Sequence, residues 1–229
     1  MKTWIIITCL LTFYLSTSFA QAPKTFLLTH IIYPDLEDYT ELFVEIYTEL
    51  GFKVELIPTP SLRGLILLND GIVDSDVLRL NVVAKEFSNV IVVQPRLKYV
   101  SLSLICVKGM PCSRSILEDK SISIMANSRM LGLLEPGEFK SIQIDNELFS
   151  SVISMLNADR YFYAIYVVDE AIKKHFEKDF QIVEIKKVSL NHVIHKRHIG
   201  LLPQIQEKLR VKLPELERKR LQKNHTYEQ

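Results

Sequence analysis

Apolar residues recur along this chain with two different periods, and the alternation between them lays out its elements. Thr25 to Thr29 predicts a short buried strand that ends at His30-Ile31-Ile32-Tyr33-Pro34-Asp35. Leu36, Tyr39, Leu42, Phe43, Ile46, Tyr47 and Leu50 then return every three or four positions, with acids in the first turn and Gly51 at the C-terminal cap, which predicts a helix. Val54 to Ile57 predicts a second strand, Leu62 to Leu68 a short helix capped by Ser61, and Asn69-Asp70-Gly71 a turn. Val73 to Leu78 and Val90 to Val93 predict further strands. Strand, helix, strand, helix, strand is the order of a mostly parallel sheet with helices on its faces.

Tyr99 to Val107 is a long extended run, and after Lys108-Gly109-Met110-Pro111 the alternation begins again, so the chain crosses here into a second lobe. Ser121 to Met125 predicts a strand, Asn127-Ser128 a loop that caps a helix through Leu134, and Ser141 to Ile144 another strand. Asp145 is placed to cap a helix with Leu148, Val152, Met155 and Leu156 inward. Tyr163 to Val168 reads as a strand buried on both faces, with Asp169 starting a helix after it. Ile182 to Ile185 predicts an edge strand and Leu190 to His195 a return crossing. Leu202-Pro203 opens a final helix whose basic tail, Arg218 to Lys223, is expected to be a solvated end.

The N-terminus changes the compartment. Met1-Lys2, the apolar run Trp4 to Tyr14 and Ser18-Phe19-Ala20 before Gln21 form a secretory signal cleaved after Ala20. That run is too short to span a bilayer comfortably and no later one is long enough, so an exported, periplasmic protein that does not itself span the membrane is expected. A net charge of +1 provides no global field to concentrate nucleic acid, which is excluded as a partner. Cys106 and Cys112 flank Val-Lys-Gly-Met-Pro and either close a small disulfide loop or stay as separate thiols.

The segments resemble the family 3 extracellular solute-binding proteins of bacterial periplasms, which serve ABC importers and related sensors. Pro60-Ser61-Leu62-Arg63-Gly64-Leu65 followed by Asn69-Asp70-Gly71-Ile72-Val73-Asp74 is similar to that family's helix and G-x-x-D turn, and Phe87-Ser88 to its Phe-Ser before the strand entering the hinge. Ile116 to Ile124 resembles its first lobe 2 helix and strand, Leu156 to Ile165 its L-x-x-G-R-x-D segment, and His195-Lys196-Arg197-His198 the hinge return of short members. The amino-acid-binding members carry Thr-x-x-Arg shortly before the Phe-Ser. Here the arginine of that interval is Arg79, earlier and without the threonine, and Asn127-Ser128 stands in place of Gly-Thr.

The resemblance implies a two-lobed α/β fold of the periplasmic-binding-protein type II, each lobe a mostly parallel sheet flanked by helices. Lobe 1 would span residues 21–103 plus about 191–229, and lobe 2 residues 104–190, with hinge strands near Val100 and Val193. It implies capture of a small polar or anionic, amino acid-like solute by hinge closure, a membrane ABC permease or a sensor as partner, and no cofactor.

Candidate ligand groups are His30 and Tyr33 in the N-terminal loop, then Arg63, Arg79, Asn127, Ser128 and Asp169. A guanidinium offers a donor fork for a carboxylate, but Arg79 also has Asp74 and Asp76 within reach in sequence, and Arg63 suits a surface. Asn127, Ser128 and Asp169 suit ligand contact and plain helix capping alike. His192, His195 and His198 are spaced by three, a spacing that converges three imidazoles on neither helix nor strand, so no metal is expected. No G-x-S-x-G, H-E-x-x-H or phosphate loop points to an enzyme. The alternatives are a small periplasmic enzyme on the same scaffold, with Asp76 or Asp169 as acid or base, and an orphan sensory or interaction module.

Overall fold

The computed structural model describes residues 24–31, 36–146 and 148–226. The expected signal segment 1–20 and Tyr33 lie outside them. The described strands form one nine-stranded curled sheet in the order β2-β1-β3-β9-β5-β8-β6-β7, with β4 also paired to β9.

The first flank is parallel. β1 (Thr25–His30) lies between β2 (Lys53–Pro58) and β3 (Ser75–Leu80). α1 (Glu37–Glu49) covers it by burying Tyr39, Leu42, Phe43, Ile46 and Tyr47, and the chain leaves at Gly51 with φ 87°. Each such fully buried large side chain contributes about 1.5–3 kcal/mol. α2 (Ser61–Asn69) begins one residue earlier than its apolar spacing predicts, with Pro60 at the N-cap, so Ser61 is not the cap. Proline's fixed φ suits the entry to a helix, and here that preference sets the start. α3 (Asn81–Ala84) and β4 (Val90–Val92) complete this flank.

The middle is antiparallel and made of two long strands. β5 (Lys98–Val107) runs against β9 (Phe180–His195) from Lys98↔Leu190 to Val107↔Phe180. The other end of β9 pairs with β3 and β4. Ile182–Ile185 is paired on one side alone, with β5, and so lies at an edge as expected, but it is not a separate strand: Leu190–His195 is the same strand continued. Lys186 and Lys187 interrupt the apolar pattern between the two runs, but both ammonium groups are accommodated at the sheet surface. Lys186 Nζ donates to the Leu133 carbonyl at 2.9 Å, and Lys187 lies over the Tyr99 ring.

The second flank is again parallel beyond β8 (Tyr163–Val168), which pairs antiparallel with β5 and parallel with β6 (Ser123–Met125), itself beside β7 (Ile142–Ile144). α4 (Ser128–Leu131), α5 (Phe149–Asn157) and α6 (Glu170–Phe176) flank it. Asp145 is not the cap of α5: that helix starts at Phe149 with Leu148 at its N-cap, and Leu148 is 63% exposed, not inward. Val152 and Leu156 do face the core. Cys106, on β5, is joined by a disulfide to Cys112, so the small loop after the strand is closed.

One core cluster runs continuously from Phe26, Leu28 and Phe43 through Val100 and Leu102 to Leu117 and Ile165, tying both flanks to the long strands. A second cluster under α5 and α6 contains Met125, Val152, Leu156, Ala164 and Phe176. α7 (Leu202–Thr226) returns along α1: Lys212 meets Glu45 and Glu49, and Arg220 Nη1 lies 3.0 Å from Asp38 Oδ2 and over the Tyr39 ring. At Arg220 the basic tail is docked rather than simply solvated.

Candidate functional site

The turn Asn69-Asp70-Gly71 places Gly71 at φ 72°, and the chain then enters β3 with Asp74, Asp76 and Arg79 all buried. On a regular strand, residues three apart point to opposite faces. The register of β3 against β9 shifts between Asp76 and Arg79, and this bulge returns Arg79 to the side of Asp76. Arg79 Nη2 donates to Asp76 Oδ2, which also accepts from Thr29 Oγ1 at 2.6 Å. Burial pushes the Asp76 carboxyl up, and Arg79 beside it opposes that rise. Gly64 of α2 makes room for the pair, since a Cβ there would collide with Arg79 Nη2 and approach Asp76 Oδ2 to 2.9 Å.

The two acids at the start of β3, Asp74 just before it and Asp76 within it, are divided between two networks. Asp74 Oδ2 accepts from the Leu27 amide at 2.7 Å, while Oδ1 lies 2.5 Å from both Arg197 Nη2 and His198 Nε2. Burial disfavours the Asp74 carboxylate, but these donors outweigh it and hold its pKa down at about 2. His192, fully buried, stacks on Phe43. Its Nδ1 lies 3.1 Å from the Val77 carbonyl, which accepts only, so Nδ1 carries the proton and Nε2 accepts from Tyr47 O–H at 2.7 Å. Burial keeps this imidazole neutral, with its pKa lowered to about 3. His195 Nδ1 accepts from the Arg197 amide. The histidines spaced by three are thus engaged separately.

A cavity of about 250 Å³ opens between the two flanks. Its first wall includes Leu36, Thr59, Leu62, Leu78 and Arg79, and the facing wall Asn127, Arg129, Met130, Phe149 and Asp169. Lys98, Val100 and Leu190 of the long strands form part of its lining, and Leu148 lies at the exposed rim. Lys98 Nζ donates to Asp169 Oδ2 at 2.5 Å, and Asp169 Oδ1 accepts from the Ile172 amide as the cap of α6. Arg129 lies over the Phe87 ring, 5.5 Å from its centroid, so this cation reaches from the second flank to the first.

Of the residues the sequence points to, Arg79, Asn127 and Asp169 line this cavity. Asn127 also caps α4 through its Oδ1 and the Met130 amide, and Asp169 is held twice, so both capping readings hold as well. His30, Arg63 and Ser128 are not among the residues that line it. Arg63 is exposed, because the turn of α2 that buries Gly64 and Leu65 turns Arg63 outward. The Ser128 hydroxyl accepts from Gln143 Nε2 at 3.0 Å, and His30 Nδ1 lies 3.3 Å from the Ile31 carbonyl. Lys98 and Arg129 were missed. Their positions, Lys98 just before the long extended run and Arg129 just after the loop Asn127-Ser128, do not by themselves mark them as cavity residues.

No family model matches the chain, and no curated protein matches it by sequence. Solved structures do match. An ancestral amino acid-binding protein, described as a precursor of cyclohexadienyl dehydratase, is 17% identical with a TM-score of 0.67, over 85% of this chain and 94% of that one. The fold is that of the two-lobed periplasmic binding proteins. The GluR0 ligand-binding core from Nostoc punctiforme in complex with L-glutamate reaches a TM-score of 0.70 at 13% identity, covering 85% of this chain and 98% of its own. The arginine-bound, truncated ArgBP from T. maritima gives 0.66 at 15%, covering 81% and 95%. At these identities the likeness is one of fold. No helix among the described residues is long and apolar enough to cross a membrane.

Proposed function

We propose that this chain is an exported solute-binding protein, cleaved after Ala20, that captures a small solute between its lobes in the periplasm and presents the closed form to an ABC permease or a sensor. The observation that carries this reading is the cavity itself: charged groups from both flanks, Arg79 and Lys98 on one side and Arg129 and Asp169 on the other, line one space of about 250 Å³. Sites for drug-sized ligands occupy about 300–1,000 Å³, so the solute is small. The fold neighbours bound to glutamate and arginine support the same scale.

Lobe 1 is residues 21–103 with about 191–229, and lobe 2 is 104–190; β5 and β9 are the hinge strands. Binding works by differential affinity: a solute touching both walls favours the closed arrangement, and the partner reads that state. Arg79, Asn127 and Asp169 are ligand-contact residues, joined by Lys98 and Arg129. We favour a binder over an enzyme because both acids suited to proton transfer are already engaged, Asp76 by Arg79 and Thr29, and Asp169 by Lys98 and the Ile172 amide.

The test is a thermal-shift screen of the mature chain against amino acids, amines, carboxylates and short peptides, with product analysis of every hit. A ligand at 100 times its dissociation constant adds about 2.7 kcal/mol. Saturable stabilisation with the solute recovered unchanged supports the binder. Turnover supports the enzyme, and a broad panel without any stabilisation contradicts both.

A further inference from the structure

An amino acid presents a cation and an anion together, and a site for it needs an acid that is free to receive the ammonium. In this cavity the acids are spoken for. Asp169, the acid of the second wall, already holds an internal amine, Lys98 Nζ, in addition to the Ile172 amide. Asp76 lies fully buried behind Arg79 and is bonded to Arg79 and Thr29.

Two guanidiniums, by contrast, keep N–H groups without partners among the described residues, although Arg79 is also bonded to Asp76 through Nη2. Arg79 lines the cavity, is 3% exposed, and its Nε has no hydrogen-bond partner among the described residues. Arg129 lines the facing wall; its Nη1 is buried and likewise without a partner, and no carboxylate among the described residues pairs with it. A buried guanidinium N–H left unpaired costs about 1–3 kcal/mol or more, and a carboxylate is the acceptor that best matches the fork. Much of the remaining wall is apolar, including Leu36, Leu78, Val100, Met130 and Phe149.

We infer that the ligand is a small organic carboxylate with an apolar body and no amino group, its carboxylate held by Arg129 with Arg79, while Lys98 occupies the acid that an amino acid's ammonium would need. This inference rests on the solute-binding reading and deepens it: Lys98 acts as a built-in selector against amino acids.

The test is titration calorimetry with matched pairs on the mature chain: 4-methylpentanoate against leucine and 3-phenylpropanoate against phenylalanine. At least one des-amino acid is expected to bind at least tenfold more tightly than its amino acid. Arg129→Gln should weaken the acid at least tenfold, with Arg129→Lys intermediate because it keeps the charge and loses the fork. Lys98→Met frees Asp169 and should narrow or reverse the preference. Circular dichroism establishes that each variant is folded, and Arg129→Lys carries the test if Arg129→Gln does not fold. Equal or tighter binding of the amino acids by the unmodified chain, or an Arg129 variant that is folded and binds the acid unchanged, overturns the inference. If a sugar, an amine or a peptide binds and no carboxylate does, the ligand class is wrong and the solute-binding reading stands. If nothing in the wider screen binds, the solute-binding reading itself fails.

Discussion

Lys98 and Asp169 meet at the cavity, Nζ to Oδ2 at 2.5 Å, although 71 positions separate them in the chain. Lys98 begins β5, and Asp169 follows β8, which pairs with β5, and heads α6, so the pair ties the long central strand to the second wall of the cavity. Its acid does two jobs that substitution separates. Asp169→Asn keeps a capping oxygen and removes the charge, and should destabilise by about 1–2 kcal/mol, since Lys98 is partly exposed and can turn to water. Asp169→Ala removes the cap as well and should cost about 1 kcal/mol more. Urea unfolding of the two variants checks the difference.

Arg79 and Asp76 are tied more deeply. Removing one partner leaves a charge buried and unpaired, so Arg79→Ala should destabilise by about 3–5 kcal/mol. The double variant Asp76→Asn with Arg79→Met should recover much of that loss, because it leaves no buried charge. Gly64→Ala, which drives a methyl into the same pair, should cost about 1–3 kcal/mol. Equilibrium unfolding of these variants provides the comparison.

Much of the first flank was legible in the chain because its helix and strands are amphipathic in the ordinary way. Leu36 to Leu50 could be read from spacing alone, as could β1, β2 and the turn at Gly71. The long strand β9 was not, because Lys186 and Lys187 interrupt its apolar pattern, Lys186 being hydrogen-bonded and Lys187 lying over the Tyr99 ring at the surface. The cavity was half legible: Arg79, Asn127 and Asp169 stand at element ends, where α/β folds gather ligand groups. Lys98 and Arg129 were not, since their role depends on which distant side chain each one meets. The bulge that turns Arg79 onto Asp76 likewise belongs to the pairing of β3 with β9, which local spacing does not encode.

Acid should weaken this protein in two stages. His192 has its pKa lowered to about 3 by burial, so between about pH 6.5 and 3 the unfolded chain takes up a proton that the folded one refuses. Stability from this group is complete above the unfolded pKa and falls by up to about 1.4 kcal/mol per pH unit below it. Asp74, held at about 2, adds a further loss of roughly 2 kcal/mol as pH falls from near 4 through that value. Melting temperatures from pH 7 to pH 3 should fall steadily, and His192→Gln should flatten the upper part of that slope.

Asp159 occupies a left-handed backbone conformation, φ 53°, at the end of α5. It stands where the resembling L-x-x-G-R segment has glycine. A side chain in that conformation costs about 1–2 kcal/mol, less for aspartate than for most residues. Asp159→Gly should therefore raise stability by a few tenths to about 1 kcal/mol, read as an increase in the denaturant midpoint.

The central claim, that one solute is captured in the cavity between the lobes, is tested most directly by calorimetric titration of a screened ligand into the unmodified chain and into Leu148→Trp. Leu148 is exposed at the cavity rim, so the larger ring should be tolerated by the fold while obstructing the entrance. One site per chain, with affinity reduced at least tenfold in Leu148→Trp, is the predicted result. Stoichiometric binding of undiminished affinity in the folded variant would place the ligand elsewhere and contradict the account.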